Sequence, residues 1–155
     1  YTTHEASKSL LELGFTNLTV VDINKSYKLS SFTLNIYKAG KPYNTTTFSY
    51  SLHDCRSKVF HEPHMFNAKL KVPDVDACIM TVDMVKVLGL IQVSMDHKQA
   101  KAAQSKLNAK YFIPTGIAPN RTNGFISYLL RIKESYNKID SMSPVCCEVG
   151  DSISL

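Results

Sequence analysis

Two runs of alternating apolar and polar residues constrain the fold of this chain more than any other feature of its sequence. Residues 29–37 alternate in this way, and the alternation resumes at residues 47–52, after the turn-forming residues 39–42 (Ala-Gly-Lys-Pro). A period of two places apolar and polar side chains on opposite faces of a strand, and a Gly/Pro turn lets the chain reverse. The pattern therefore predicts an antiparallel hairpin with one apolar face and one polar face rich in hydroxyl groups.

Shorter apolar or β-branched runs predict the remaining strands. A strand is expected in each of five segments, which are residues 15–23, 66–72, 78–82, 85–93 and 111–113. The third and fourth of these are rich in Val, Ile and Met, which is typical of buried strands. The segment 54–64 contains the breaker Pro63 and is expected to be irregular.

Three segments are expected to be helical. Residues 3–13 follow a capping-box spacing, residues 97–110 follow the N-cap residue Asp96, and residues 125–139 carry apolar side chains at helical spacing. Because most strands precede the longer helices, the sequence predicts the α+β class, with an antiparallel sheet of about five strands and two or three helices packed on it. We expect residues 1–143 to form a single domain and residues 144–155 to form a C-terminal tail.

The net charge of +5 is distributed unevenly along the chain. Neither residues 23–53 nor residues 97–133 contain an acidic side chain. Such segments produce a field of one sign that attracts anionic partners, although a solvated basic face is the simpler alternative. We expect an anionic membrane or a nucleoprotein to bind the basic residues of these segments, which are Lys25, Lys28, Lys38, Lys41, Lys98, Lys101, Lys106, Lys110, Arg121, Arg131 and Lys133.

One group of side chains has the composition of a zinc site. His53, Cys55, His61 and His64 follow the pattern H-x-C-x5-H-x2-H and could close a tetrahedral site, but the spacing matches no common zinc finger. The alternatives are a loop with surface histidines and a buried Cys55, or a Cys55 thiol activated by a neighbouring imidazole. The phosphate-binding loop, the dinucleotide-binding motif and the G-x-S-x-G motif are absent from the sequence. We therefore expect no cofactor and no enzymatic activity.

The cysteines and the glycosylation motifs point to different compartments. Four cysteines without framework spacing favour a reduced intracellular protein. Four N-x-S/T motifs, at Asn17, Asn24, Asn44 and Asn120, favour secretion. A secreted protein would be expected to carry a disulfide between Cys55 and Cys78.

A short segment resembles a known family. Residues 32–36 (FTLNI) followed by residues 41–45 (KPYNT) resemble the first strand and turn of rhabdovirus matrix proteins. The resemblance implies a small, basic, non-enzymatic α+β protein that self-associates, binds the inner membrane leaflet and condenses the nucleocapsid. It identifies no site residue.

The sequence thus predicts a non-enzymatic viral matrix-like assembly protein with a basic face. Its expected partners are an anionic membrane or nucleoprotein and further copies of itself, without a small-molecule cofactor. Its expected location is cytoplasmic, peripheral at membranes or in a virion. Two alternatives remain open, a secreted glycoprotein binding module and a non-specific RNA-binding protein such as a viral suppressor or movement factor.

Overall fold

A computed structural model describes residues 1–42, 47–82, 84–88, 90–115 and 152–155. Six strands form one mixed sheet in the order β1-β2-β3-β4-β5-β8, and β6 and β7 form a separate antiparallel pair. Neither of the described helices has the length and apolar composition needed to cross a membrane. The elements are α1 (His4–Glu12), β1 (Ser26–Leu29), β2 (Phe32–Lys38), β3 (Phe48–His53), β4 (Lys58–Glu62), β5 (Ala77–Thr81), β6 (Lys86–Val87), β7 (Ile91–Gln92), α2 (His97–Lys106) and β8 (Tyr111–Thr115).

The hairpin predicted from the alternating residues is confirmed as the antiparallel pair β2–β3, and β1 adds a third antiparallel strand. Its apolar face buries Leu34 and Ile36. A row of hydrogen bonds crosses the polar face, because Ser26 Oγ donates to Asn35 Oδ1 (2.5 Å) and Asn35 Nδ2 donates to Ser51 Oγ (3.2 Å). The row ends at Tyr37, whose hydroxyl lies 3.2 Å from Ser51 Oγ.

The other half of the sheet is parallel, which the sequence did not predict. β4 pairs with β5 in parallel, and β5 pairs in the same sense with β8. The chain returns from β5 to β8 through α2, as a parallel connection requires. The α+β class is confirmed, but the sheet is mixed rather than antiparallel and has six strands rather than about five. β4 falls within the segment predicted to be irregular, and Pro63 comes directly after the strand rather than preventing it.

Three strand predictions are wrong, wholly or in part. Residues 15–23 form only an isolated bridge between Val20 and Thr2, and residues 66–72 contain no strand. The described part of 85–93 forms β6 and β7, which are two residues long each. Leu88 and Leu90 in this segment are 69% and 84% exposed rather than buried. Apolar composition favours a strand only where a neighbouring strand can pair with it.

The main core lies between the parallel half of the sheet and α2. Asp96 begins this helix with a complete capping box, in which its Oδ1 accepts from Gln99 N (2.8 Å) and Gln99 Oε1 accepts from Asp96 N (2.9 Å). The predicted helix over 97–110 is confirmed, although it ends earlier. Its buried face and the sheet contribute the core residues Phe60, Cys78, Met80, Ala100, Ala103, Leu107 and Phe112.

The first helix is also confirmed, with Thr3 as the N-cap residue that accepts from Ala6 N (3.2 Å). The third predicted helix, over residues 125–139, lies outside the described residues, so the structure describes two helices. Most of the predicted tail, 144–155, lies outside them as well. The division into a domain and a tail stays a prediction.

Candidate functional site at the carboxyl edge of the sheet

The carboxyl ends of β4, β5 and β8 meet at one edge of the sheet, because these strands are parallel. Sheets with parallel strands bind ligands outside the carboxyl ends of those strands. We call the polar residues at this place, Glu62, His64, Thr81 and Ser94, the carboxyl edge. Two contacts anchor the start of α2 there, since Met95 N donates to His64 O (3.0 Å) and the hydroxyls of Thr81 and Ser94 lie 3.0 Å apart.

Glu62 is a fully buried acid at the end of β4. Its Oε1 accepts from the backbone nitrogens of His64 (2.9 Å) and Met65 (3.1 Å). Its Oε2 is buried and has no hydrogen-bond partner among the described residues, and the same holds for the hydroxyl of Ser49. Burial raises the pKa of Glu62 to about 7, although the two backbone hydrogen bonds oppose this rise. The acid is therefore poised between its neutral and ionised forms near neutral pH.

Two histidines flank Glu62 and are both partly buried. Successive side chains of a strand point to opposite faces, so His61 lies on the face away from Glu62, where its ring centroid is 5.0 Å from that of Tyr50. Burial lowers the pKa of His61, and the charge of His64 lowers it further. Burial also lowers the pKa of His64. A lowered pKa favours the neutral form of each imidazole, in which one ring nitrogen can accept a proton or bind a metal.

The four residues considered as a zinc group lie in different surroundings. His53 ends β3, Cys55 is exposed in the following turn, His61 lies within β4, and His64 follows this strand. In the part of the chain that the structure describes, no group of three or more His, Cys, Asp or Glu residues could hold a metal ion.

Cys55 and Cys78 are both free, so the expected disulfide between them is not formed. Cys55 is exposed, whereas Cys78 lies in the core. Burial raises the pKa of the Cys78 thiol to about 12, which keeps it protonated.

The predicted basic residues do not all converge. Lys25 forms an ion pair with Asp22 (3.6 Å), Lys28 lies on β1, and Lys110 lies over the Tyr111 ring at 4.7 Å. Lys98, Lys101 and Lys106 lie on α2. Lys38 and Lys41, in contrast, line one cavity together with Lys69. Arg121, Arg131 and Lys133 lie outside the described residues.

Sequence reasoning missed the carboxyl edge itself. No contiguous motif marks it, because Glu62, Thr81 and Ser94 come from three separate segments that only the parallel pairing brings together. One signal was available in the sequence, namely that Glu62 lies two residues after the apolar pair Val59-Phe60 and directly before Pro63. Acidic side chains are almost never fully buried unless other groups pair with them.

Comparisons with known proteins identify the fold. No family model matches this chain, and no curated protein matches its sequence. Among solved structures, Zn(2+)-bound PqqB from Methylobacterium extorquens aligns with 100% of this chain and 64% of its own, at a TM-score of 0.67 and 11% identity. The metallo-β-lactamase fold protein YhfI from Bacillus subtilis aligns with 73% of this chain and 49% of its own, at a TM-score of 0.56 and 10% identity.

A third similar structure is a Thermotoga maritima protein assigned as a Zn-dependent hydrolase of the metallo-β-lactamase superfamily. It aligns with 68% of this chain and 52% of its own, at a TM-score of 0.51 and 17% identity. This chain thus spans between 49% and 64% of the length of these three proteins.

Two of these proteins are named for zinc, and the carboxyl edge has donors of the right type. Glu62 has a buried carboxyl oxygen without a hydrogen-bond partner among the described residues, and His64 has an imidazole whose lowered pKa favours the neutral form. A zinc site, however, takes three or four protein ligands, and the described ranges contain no group of three. The described residues therefore do not complete a metal site.

These comparisons correct the expectations drawn from sequence. The resemblance to rhabdovirus matrix proteins is wrong, because the hairpin that suggested it continues into the parallel half of a metallo-β-lactamase fold. The expectation of a non-enzymatic assembly protein, and its alternatives of a secreted glycoprotein module and an RNA-binding protein, are overturned as well. The similar structures include the Zn-dependent hydrolase from Thermotoga maritima and a metal-dependent hydrolase from Parabacteroides distasonis.

The expected partners are corrected for the same reason. The sequence predicted an anionic membrane, a nucleoprotein or further copies of the chain as partners, and no small-molecule cofactor. This prediction does not agree with the similar structures, which are named as zinc-bound or metal-dependent proteins. The absence of sequence motifs does not exclude an enzyme, because a site assembled from separate strand ends would leave no contiguous motif. At 10–17% identity the likeness shows the fold alone, and that fold is the metallo-β-lactamase fold.

Proposed function

We propose that this chain is part of a hydrolytic enzyme with the metallo-β-lactamase fold, and that its reaction takes place at the carboxyl edge. The observation that carries this proposal is the position of His64, a partly buried histidine at the strand ends whose backbone nitrogen donates to the buried Glu62 (2.9 Å). The names of similar structures support the reaction class, since the proteins from Thermotoga maritima and Parabacteroides distasonis are called hydrolases.

In this proposal His64 accepts the proton of the water that attacks the substrate. A neutral imidazole with a pKa below its ordinary value can take up a proton near pH 7, and a well-placed general base contributes about 10²- to 10⁴-fold to a rate. His64 is only partly buried, so a substrate can reach it.

Glu62 acts as a positioning residue rather than a catalytic one. It is fully buried, and its Oε1 binds the backbone nitrogens of His64 and Met65. These hydrogen bonds fix the turn that carries the imidazole. Ionisation of Glu62 strengthens them, because hydrogen bonds to a charged acceptor are about twice as strong as neutral ones.

Zinc is the metal named for two of the similar structures, and Glu62 and His64 are the groups at this edge with the donor types that zinc prefers. Because the described residues do not complete a zinc site, the role proposed for His64 does not depend on a metal. Elemental analysis of the purified protein, and activity measured before and after chelation, report on metal dependence separately.

The test is hydrolysis of a panel of chromogenic phosphoesters, thioesters and lactams by the protein and by His64→Gln. We expect kcat/KM of His64→Gln to fall about 10²- to 10⁴-fold, with the pH profile losing its acidic limb. His4→Gln is the matched control, because His4 is an exposed histidine at the start of α1. An equal loss in both variants, or full activity in His64→Gln, would contradict the proposal.

A further inference from the structure

A second site, separate from the carboxyl edge, is a cavity of about 420 Å³ between the end of β2 and the segment that follows β4. Three lysines line it, two from the β2 side and one from the other, together with Gly40 and Asn67. We propose that this lysine cavity, defined by Lys38, Lys41 and Lys69, binds the phosphate or carboxylate group of a small anionic molecule.

The two segments that carry the lysines are in direct backbone contact. Gly40 N donates to Met65 O at 2.6 Å. A Cβ atom at position 40 would lie 2.6 Å from Phe66 O and 2.7 Å from Met65 O, which is closer than any side chain tolerates. Glycine is therefore required here, and its contact sets the distance between Lys38 and Lys41 on one side and Lys69 on the other.

The side chain of Asn67 ties the two walls of the cavity together. Its Nδ2 donates to Lys38 O (3.2 Å), and its Oδ1 accepts from Lys69 N (3.1 Å). One amide thus holds the backbone of two lysines that lie 31 positions apart in the sequence (69 minus 38). A site that is ordered before its ligand arrives spends less binding energy on ordering.

The charge of the cavity is not neutralised by the protein. Lys38, Lys41 and Lys69 are exposed. Within the described ranges no acidic side chain forms an ion pair with any of them, and the ion pair seen there joins Lys25 to Asp22. Cations held around one cavity repel each other, and an anion between them removes this repulsion. An anionic ligand is therefore the occupant that the charges favour.

The shape of the site favours a small molecule. Small-molecule sites are concave and enclose about 300–1,000 Å³, the range into which this cavity falls. Phe66 adds an apolar wall beside the lysines, which can contact the uncharged part of a ligand. Phosphate and carboxylate present the same anionic oxygens, so the choice between them is an outcome of the test.

The test is calorimetric titration of the whole chain with inorganic phosphate, pyrophosphate and citrate, at low and at moderate salt. We expect at least one of these probes to bind, and both Lys38→Ala and Lys69→Ala to weaken it about fivefold, the effect of one charge pair near 4 Å in water. Tighter binding of pyrophosphate than of citrate identifies a phosphate site, and the reverse order identifies a carboxylate site.

Lys98→Ala is the matched control, because it removes an exposed lysine from α2, which does not line the cavity. Asn67→Ala removes no charge and is expected to weaken the same probe by releasing the two walls. Circular dichroism and thermal unfolding verify that every variant is folded. Absence of binding by all three probes, or equal weakening by Lys98→Ala, would overturn the proposal, whichever outcome the test at His64 has.

Discussion

Removing the charge of Glu62 should change how the stability of the protein depends on pH. Glu62 is fully buried, and its pKa in the folded protein is about 7 against an ordinary value of 4.5. At 1.36 kcal/mol per pKa unit, this difference corresponds to at most about 3 kcal/mol of folding free energy. The substitution Glu62→Gln keeps the shape of the side chain and an oxygen that can accept from His64 N and Met65 N, but it cannot ionise.

The sign of the effect follows from which state binds the proton. Below pH 4.5 the acid is protonated in both states and the shift has no effect on stability. As the pH rises to about 7, the unfolded chain has released its proton while the folded chain keeps it, so the free energy of unfolding falls by up to about 3 kcal/mol. Above about pH 7 both states are ionised and the loss stays constant.

The assay is urea unfolding of the unmodified chain and of Glu62→Gln at several pH values between 4.5 and 8, with circular dichroism as the readout. The partly buried histidines His61 and His64 contribute a pH dependence of the opposite sign, because their pKa values are lowered. They are common to both proteins, so the difference between the two curves isolates Glu62. We expect Glu62→Gln to gain about 3 kcal/mol relative to the unmodified chain between pH 4.5 and pH 8. A difference that does not change with pH refutes the reasoning, and Glu5→Gln, in the exposed first turn of α1, is the control.

Two further predictions test the core and the free thiols. Phe112→Ala, which empties a fully buried position on β8, should lower the free energy of unfolding in urea by about 3–5 kcal/mol. Phe32→Ala, at a position that is 42% exposed, should cost much less, and similar losses would show that Phe112 is not a core residue. A thiol-specific reagent at pH 8 should modify the exposed Cys55 within the native protein and leave Cys78 unmodified until unfolding, because burial raises the pKa of Cys78 to about 12. Mass spectrometry of the labelled peptides measures both rates, and rapid labelling of Cys78 would contradict its burial.

The sequence predicted those elements whose pattern is local. The β2–β3 hairpin and α2 are examples, because alternation, a turn and an N-cap residue all lie within a short stretch of chain. β4 was not predictable in this way. Its apolar residues Val59 and Phe60 are flanked by charged or polar ones, and the strand exists because it pairs with β3 on one side and with β5 on the other.

The candidate sites depend on contacts between distant segments and were predicted less well. Lys38 and Lys41 were among the expected anion-binding residues, but their meeting with Lys69 depends on the contact of Gly40 with the backbone of Met65. Glu62 was not expected to matter. Its burial and its pKa follow from the parallel half of the sheet, and the sequence contains no local signal for parallel pairing.

The row of side-chain hydrogen bonds from Ser26 through Asn35 and Ser51 to Tyr37 determines how the first three strands can be aligned. Sliding one strand by a single residue would bring Leu34 and Ile36 to the polar side and leave the amide and hydroxyl groups facing apolar neighbours. The fully buried hydroxyl of Ser51 would then lose its partners, at a cost of about 1–3 kcal/mol. The hydroxyl-rich face thus fixes the register of these strands. Their apolar residues alone would tolerate shifted pairings as well.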